Sequence, residues 1–197
     1  GCNVTGLSRS GNGLDVRDEQ RVAAHLAAEQ GGFDLILVAT GALEINGAVP
    51  EKSMKALSST AMMDQMALNA VGPAIVLKHA IPLLHRNRRS VFAALSARVG
   101  SIGDNRLGGW VSSRASKAAL NQIIRTASIE LARSHPLAIC VALHPGTVQT
   151  SFTEKYLGRH PSVPASQAAA NLISVVQGLS PTESGGFYDW SGKQVPW

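Results

Sequence analysis

Three uninterrupted apolar runs, separated by stretches of helical periodicity, do most to limit the folds open to this chain. The runs cover residues 34–39, 90–95 and 137–143, and they are apolar throughout except for Asp34 and Ser90 at the first positions of two of them. A strand that is apolar at every position is typical of a parallel sheet with helices on both faces. Helical spacing occupies the other long stretches, at residues 21–30, 61–84, 112–134 and 165–177. This alternation predicts an α/β fold, with a doubly wound parallel sheet in three layers and right-handed crossovers.

Shorter strands are predicted near both ends of the chain, at residues 3–8 and 187–190. In open parallel sheets, ligands bind beyond the carboxyl ends of the strands. Polar residues or glycines follow four of the predicted strands, so we expect them to lie at one edge of the sheet. These residues are Arg9, Thr40 with Gly41, Ser96, and Pro145 with Gly146.

The composition indicates one globular domain over residues 1–197. Hydrophobic residues make up 45% of the chain and charged residues 16%, which argues against a disordered polypeptide. The net charge of +5 permits anionic ligands without requiring nucleic acid, and the basic cluster of Arg86, Arg88 and Arg89 suits the solvated end of a helix. The six histidines follow no metal-binding spacing.

The sequence shows neither a secretory signal pattern nor an apolar run long enough to span a membrane. Its two cysteines suit a reducing compartment. We therefore expect a cytoplasmic protein without nucleic-acid or membrane partners.

Lys117 stands out among the polar residues, because it lies in the first part of a helix that is otherwise small and apolar. Ser113 precedes it by four residues and therefore shares its helix face. A lysine on an apolar face usually extends to solvent. Beside a nucleotide it would instead bind ribose hydroxyls and lower the pKa of a neighbouring acid. The residues alone leave both interpretations open.

Three further positions also have a structural and a functional interpretation. Arg9 is either a solvated arginine or a ligand for a ribose 2′-phosphate. Asp15 is either a helix cap or, together with Val16, a contact for adenine. Asn69 lies in an apolar helix and either stabilises a kink next to Pro73 or holds a water in a proton relay.

Several stretches together resemble the short-chain dehydrogenase/reductase family, and within it the C-factor-like (C-signal-like) branch. They are LDV at 14–16, LNAVGP at 68–73, LSARVGSI at 95–102, RASKAALN at 114–121, HPGTV at 144–148 and GGFYDW at 185–190. These stretches extend over nearly the whole chain, which makes the resemblance specific. It implies a Rossmann-type sheet, an NAD(P) cofactor, and a catalytic set of asparagine, serine, tyrosine and lysine.

By position, the resemblance implies that Asn69 is the relay asparagine and Lys117 the catalytic lysine, which also holds the nicotinamide ribose. Arg9 then favours NADP(H), with NAD(H) as the second choice. The other cofactor contacts implied by the resemblance surround the adenine, the ribose and the nicotinamide. They are Asp15, Val16, Ala39, Thr40, Gly41, Pro145, Gly146, Val148 and Thr150.

Three departures from the family pattern bear on activity. Ser113 stands at the tyrosine position, and an aliphatic hydroxyl is far less acidic than a phenol, whose ordinary pKa is about 10. Ala97 stands at the serine position, and the neighbouring Ser96 substitutes for it only if the strand turns there. The family's first strand and glycine-rich loop have no counterpart in the sequence, so we expect a truncated or incompletely observed chain.

The resemblance therefore implies an NADP(H)-linked oxidoreductase that reduces a carbonyl or oxidises an alcohol. Its catalytic candidates are Asn69, Ser96, Ser113 and Lys117. The alternative is a catalytically degenerate member that binds a nucleotide or a protein partner. In the family, helices such as those predicted at 61–84 and 112–134 pair across a dimer axis, so we expect a homodimer or homotetramer with a small-molecule substrate.

Overall fold

Four parallel strands form the central sheet of this protein in a computed structural model, which describes residues 2–150, 153–156 and 161–197. The strands are β1 (Leu35–Val38), β2 (Ser90–Leu95), β3 (Ala138–His144) and β6 (Phe187–Asp189). They lie in the order β1-β2-β3-β6, and each pairs in parallel with its neighbour. The three predicted apolar runs are thus confirmed as adjacent strands. A separate parallel pair joins β4 (Thr147–Gln149) to β5 (Ser162–Pro164).

Helices cover both faces of this sheet. They are α1 (Arg9–Asn12), α2 (Glu19–Ala27), α3 (Ser59–Met66), α4 (Gly72–Ala80), α5 (Val111–Leu131) and α6 (Ala165–Gly178). Alternate residues of β2 belong to two different cores: Phe92 and Ala94 pack with α2, α4 and α5, whereas Val91 and Ala93 pack with α6. This alternation confirms the predicted three-layer α/β fold of the Rossmann type.

Short 3-10 segments occupy several connections. They are Met54–Ala56, Ile81–Leu83, Arg98–Gly100, Glu154–Tyr156 and Pro181–Glu183. Arg98–Gly100 comes directly after β2 and therefore shapes the loop in which the family carries its catalytic serine.

The strand predicted at residues 3–8 is wrong. This segment is mostly exposed and has no strand pairing, and the chain then turns into α1, whose Gly11 N–H donates to Ser8 Oγ at 3.0 Å. A strand needs a neighbour for its backbone groups, and none of the described residues pairs with this segment. β1 likewise pairs only with β2 among the described strands, which leaves Leu37 42% exposed.

The helix predicted at 61–84 is divided by a π-helical turn, Ala67–Val71, between α3 and α4. Pro73 is the second residue of α4, and because it has no N–H it cannot bond back to the preceding turn of the continuous helical stretch. The predicted loosening near Pro73 is therefore confirmed, and it lies just before the proline. Isolated π turns occur frequently at functional sites, and this one contains Asn69.

The helical stretch Ser59–Leu83 is long and apolar enough to cross a membrane by length and composition. Part of it is buried against α5 and the sheet in this fold. Core helices of globular proteins meet the same criterion, so the stretch is weak evidence for a membrane span.

Candidate active site

Gly41, Asn69 and Lys117 come together beyond the carboxyl end of β1. Lys117 extends from α5 and donates from Nζ to the carbonyl oxygen of Leu95, the last residue of β2, at 2.8 Å. A Cβ atom at Gly41 would lie 3.1 Å from Asn69 Oδ1 and 3.5 Å from Lys117 Nζ. Because glycine has no side chain, the backbone at this position can approach both groups closely. Three of the predicted site residues therefore meet in one place.

The ammonium of Lys117 is surrounded by protein, although the residue as a whole is only partly buried. This burial lowers the pKa of Lys117 to about 8. An ammonium carries three hydrogens, and the Leu95 carbonyl is its one acceptor among the described residues. Two donors thus remain for hydroxyl groups of a ligand, which favours the ligand-binding interpretation of Lys117 over a lysine that extends to solvent.

The side-chain amide of Asn69, which is 1% exposed, is held by three hydrogen bonds. Its Oδ1 accepts from the Ala42 N–H and its Nδ2 donates to the Ala42 carbonyl, both at 3.0 Å. The second hydrogen of Nδ2 bonds Gln65 Oε1 at 2.5 Å, and Gln65 Nε2 donates to the Leu43 carbonyl at 2.8 Å. Gln65 was not predicted from the sequence. Two amide side chains four residues apart in an apolar helix are the signal that indicates such a pair.

Ser113 is 4% exposed, and its hydroxyl has no hydrogen-bond partner among the described residues. It lines a cavity of about 10 Å³, bounded by α3, α5 and residues 43–51, which has room for about one water molecule. Gln65 and Glu51 are polar neighbours in this cavity, and much of the remaining lining is aliphatic. The position that carries tyrosine in the family therefore adjoins a small, mostly apolar space.

Glu51 fixes the start of α5 and was not predicted. Its carboxylate accepts from the backbone N–H of Ser112 at 3.2 Å and from the Ser112 hydroxyl. Burial alone would raise the pKa of Glu51, but the hydrogen bonds from Ser112 outweigh it and lower the pKa. An ionised carboxylate stabilises a helix N-terminus, and this one anchors the helix that carries Ser113 and Lys117.

Ser96 faces α5 and does not take the place of the missing serine. It is buried, and its hydroxyl donates to Asn121 Oδ1 at 2.6 Å. Phe92 and Ala94 occupy the same face of β2, so the strand alternation continues through Ser96. The catalytic role predicted for Ser96 therefore loses its support, and Ala97 supplies only a methyl group.

Asp15, which was predicted to contact adenine, is already bound by a neighbouring arginine. Arg17 holds the Asp15 carboxylate with contacts of 2.6 and 3.0 Å, and these hydrogen bonds lower the pKa of Asp15 to about 2. Asp18 rather than Asp15 caps α2, since it accepts from the backbone N–H of Gln20 and Arg21. The cap interpretation of Asp15 is thus wrong, and its contact with adenine stays a prediction.

Val16 and Arg9 differ in their access to a ligand. Val16 is 5% exposed and packs so closely on Gly72 that a Cβ there would lie 2.7 Å from Val16 Cγ2. Little of its surface is left for an adenine ring. Arg9 begins α1 on the exposed surface and lowers the pKa of Asp15 through its charge. Its side chain is available to a phosphate group.

The predicted nicotinamide residues follow β3. Gly146 has a φ of +77°, and a Cβ there would lie 3.0 Å from Trp190 Cδ1, so both backbone and space require glycine. Val148 lies in β4, and the backbone N–H of the exposed Thr150 donates to Thr153 Oγ1 at 3.3 Å. Their contacts with nicotinamide, and those of Pro145 and Ala39, stay predictions.

Three buried side-chain atoms lack a partner in the described parts of the chain: Thr40 Oγ1, Ser113 Oγ and His144 Nδ1. Thr40 follows β1, and His144 ends β3. Burial, reinforced by the charge of Arg98, lowers the pKa of His144 to about 4, so its ring is neutral at pH 7. Unsatisfied buried polar groups are costly. Thr40 and His144 lie at the carboxyl ends of the strands and Ser113 one turn before Lys117, which indicates a ligand site at this edge.

Comparison with known proteins agrees with this placement. Residues 8–181 match the family described as enoyl-(acyl carrier protein) reductase. The chain is 35% identical over 136 residues to C-signal of Myxococcus xanthus, covering 69% of this chain and 78% of that protein. It is 30% identical over 188 residues to 1-hydroxy-2-glutathionyl-2-methyl-3-butene dehydrogenase of Rhodococcus sp. (strain AD45), covering 94% and 79%.

The fold is also similar to a solved structure, the NADPH-bound carbonyl reductase from chicken fatty liver. The TM-score is 0.79 at 26% identity, and the match covers 93% of this chain and 75% of that one. The family match over most of the chain, the two relatives and this shared fold agree with one another. The chain therefore belongs to the short-chain dehydrogenase/reductase family of oxidoreductases.

Proposed function

We propose that this chain binds NADP(H) at the carboxyl edge of its sheet and acts as a slow oxidoreductase on small carbonyl or alcohol substrates. The observation that carries this proposal is the buried ammonium of Lys117, which lies close to Gly41 and keeps two donors without an acceptor among the described residues. The similar carbonyl reductase from chicken fatty liver is NADPH-bound, which supports the same cofactor here. Arg9 supports NADP(H) over NAD(H), because its exposed guanidinium suits a 2′-phosphate.

The residues present fit the ribose and nicotinamide end of this cofactor. Lys117 would bind the ribose hydroxyls, while Gly41 permits close approach and the Pro145-Gly146 turn bounds the ring. The unpartnered hydroxyl of Thr40 would gain a hydrogen bond at the same edge. When bound, NADPH supplies the hydride. No residue described above accounts for the pyrophosphate, since the sequence contains no Gly-x-x-x-Gly-x-Gly motif.

The proton that balances hydride transfer would reach the substrate oxygen without a phenol. Ser113 is too weak an acid for this step, but its hydroxyl would orient a water in the adjoining cavity. Lys117 does not line that cavity, but it titrates close to neutrality because burial lowers its pKa to about 8, and it would supply the proton to that water through a further water molecule. We expect a slow reaction, because a general acid in contact with the substrate contributes about 10²–10⁴-fold in rate.

Binding and turnover are tested separately. The full chain is titrated with NADPH while the fluorescence of the cofactor is followed, and NADPH oxidation is then measured over a panel of aldehydes and ketones. Saturable binding together with slow turnover supports the proposal. Absence of NADPH binding by the folded chain overturns it.

A second function, nucleotide binding without turnover, is favoured by one observation. Ser96 donates its hydroxyl to Asn121, Ser101 donates its hydroxyl to the Pro196 carbonyl, and Ala97 has none, so no serine hydroxyl in this loop is free to polarise a carbonyl. The two functions separate in a Ser113→Tyr variant. An oxidoreductase should become faster, whereas a pure binding protein should still bind NADPH without oxidising it.

We further propose that residues 1–197 form one nucleotide-binding domain that acts in the cytoplasm as a homodimer or homotetramer, without nucleic-acid or membrane partners. Exposed apolar side chains support the oligomer, since they occur on the helical stretch 59–83 and on α5. They are Met63, Val71 and Ile129. Sedimentation equilibrium tests the assembly, and a monomer at all concentrations would contradict it.

A further inference from the structure

We infer that Gln65 is a positioning residue, which braces the turn after β1 and directs the Asn69 amide oxygen towards the Lys117 side of the site. The inference rests on the proposed function, in which Lys117 acts, and on the relay role that the family resemblance implies for Asn69. Gln65 itself is buried, and it touches neither Lys117 nor the space beside Gly41 directly. Its effect on the site therefore passes through Asn69 and through the turn at residues 41–43.

The orientation of the Gln65 amide is determined by the Leu43 carbonyl. A carbonyl oxygen only accepts hydrogen bonds, so the Gln65 nitrogen must face it, and the two atoms lie 2.8 Å apart. The Gln65 oxygen then points to Asn69 and accepts from its Nδ2 at 2.5 Å. One buried side chain thus connects the turn after β1 to the π-helical turn that contains Asn69.

The orientation of Asn69 follows from these contacts. Its nitrogen has two hydrogens, and they are taken by Gln65 Oε1 and the Ala42 carbonyl. Its oxygen accepts from the Ala42 N–H and keeps a second lone pair. A flipped amide would place oxygen against two acceptors and nitrogen against a donor, all within a buried site. Gln65 and the Ala42 backbone therefore exclude the flipped form together.

The free lone pair of Asn69 lies on the side of Gly41 and Lys117. A Cβ at Gly41 would be 3.1 Å from Asn69 Oδ1 and 3.5 Å from Lys117 Nζ, so the two groups border the same small space. An amide oxygen on this side attracts the ammonium or a water bound to it.

Gln65 also lines the cavity at Ser113. Polar groups consequently follow one another from this cavity through Gln65 and Asn69 to the space next to Lys117. Loss of the Gln65 amide would interrupt this series of polar groups and remove the hydrogen bond to the Leu43 carbonyl. An apolar residue of similar length should therefore disturb Asn69 without leaving a large void.

The test uses the full chain without cofactor and follows the side-chain amide hydrogens of Asn69 by nitrogen-15 NMR, assigned with an Asn69→Asp variant. Gln65→Met should speed their exchange with solvent about tenfold, since one buried hydrogen bond is lost. Gln65→Glu retains the acceptor towards Asn69 and should largely restore protection. The matched control is Gln122→Met, because Gln122 is an exposed α5 glutamine bonded to Thr126.

Unchanged Asn69 exchange in Gln65→Met overturns the inference, and this variant decides the matter even if the buried charge of Gln65→Glu prevents folding. A second measurement connects the brace to catalysis. In a Ser113→Tyr background, Gln65→Met should lower kcat about tenfold and change the carbonyl KM by less than about twofold. If the parent chain does not bind NADPH, the proposed function fails, while the exchange data still decide the role of Gln65.

Discussion

The site has two halves that differ in how their polar groups are used. The lysine half consists of Gly41, Asn69 and Lys117, where three hydrogen bonds hold the Asn69 amide and the ammonium keeps two hydrogens without an acceptor among the described residues. The acid half consists of Ser96, Ala97 and Ser113. There, one hydroxyl is bound to the interior, one has no partner and one is missing. The contrast indicates that cofactor binding and proton donation are separable in this fold.

The largest expected effect comes from repairing the acid half. Ser113→Tyr should raise the rate of NADPH-dependent carbonyl reduction by about 10²–10⁴-fold, because a phenol next to Lys117 is a far better general acid. The cavity at Ser113 is about 10 Å³, so residues 43–51 must move to admit the ring. Such overpacking costs about 1–3 kcal/mol of stability. The initial rate and the Tm are measured together.

Thr126→Tyr is the control for adding a tyrosine, since Thr126 is exposed on the same helix and should leave the rate unchanged. A stable Ser113→Tyr protein with the parental rate would contradict the difference drawn between the two halves of the site. It would mean that proton donation does not limit this chain.

The second-largest effect is expected when the positive charge of the lysine half is removed. Lys117→Met should weaken NADPH binding about a hundredfold, because two charge-assisted hydrogen bonds to the ribose are lost. Lys193→Met removes an exposed lysine and should leave the affinity unchanged. Cofactor fluorescence titration measures both. Equal affinities for the two variants would show that Lys117 does not contact the cofactor.

The sequence predicts the fold well where burial alone determines the structure. The runs at 34–39, 90–95 and 137–143 are apolar at almost every position, because β1, β2 and β3 are covered by helices or flanked by other strands. The segment 3–8 shows the limit of that reasoning. Its pattern suits a strand, but strand formation depends on a neighbour that the segment itself does not encode.

The candidate site divides in the same way. Asn69 and Lys117 were predicted from local spacing and from the family resemblance, and the structure brings both to Gly41. Gln65 and Glu51 were missed because their partners, Leu43 and Ser112, lie 22 and 61 residues away in the chain. No local pattern reports these two long-range contacts, although the four-residue spacing of Gln65 and Asn69 is a local signal for their own contact. The side to which the Ser96 hydroxyl points depends on whether the backbone turns at the end of β2. That is decided by how the strand pairs with its neighbours in the sheet.

The third effect concerns pH and the lysine half. The folded-state pKa of Lys117, about 8, lies below its ordinary value of 10.5, so the unfolded chain binds more protons between these values. The free energy of unfolding should therefore rise with pH in this window, relative to Lys117→Met. The full shift would correspond to about 3 kcal/mol, and partial solvent access reduces this to about 2 kcal/mol.

Urea unfolding of both proteins at several pH values between 8 and 10.5 measures this difference. Cys140 does not disturb the comparison. Burial raises the pKa of its thiol to about 12, and it contributes equally to both proteins. A constant difference between parent and variant across the window would show that the ammonium is well solvated, and the lysine half would then resemble an ordinary surface lysine.

The smallest effect is expected from a methyl group added at Gly41, next to Asn69 and Lys117 in the lysine half. Gly41→Ala places a methyl 3.1 Å from Asn69 Oδ1 and 3.5 Å from Lys117 Nζ, a tight fit that needs only a slight shift. We expect about threefold weaker NADPH binding and a Tm close to that of the parent chain. Gly178→Ala is the matched control, because a Cβ there meets nothing within 4 Å. If Gly41→Ala binds NADPH as the parent does, the cofactor does not approach Gly41, and the contacts proposed for Lys117 must be made from another side.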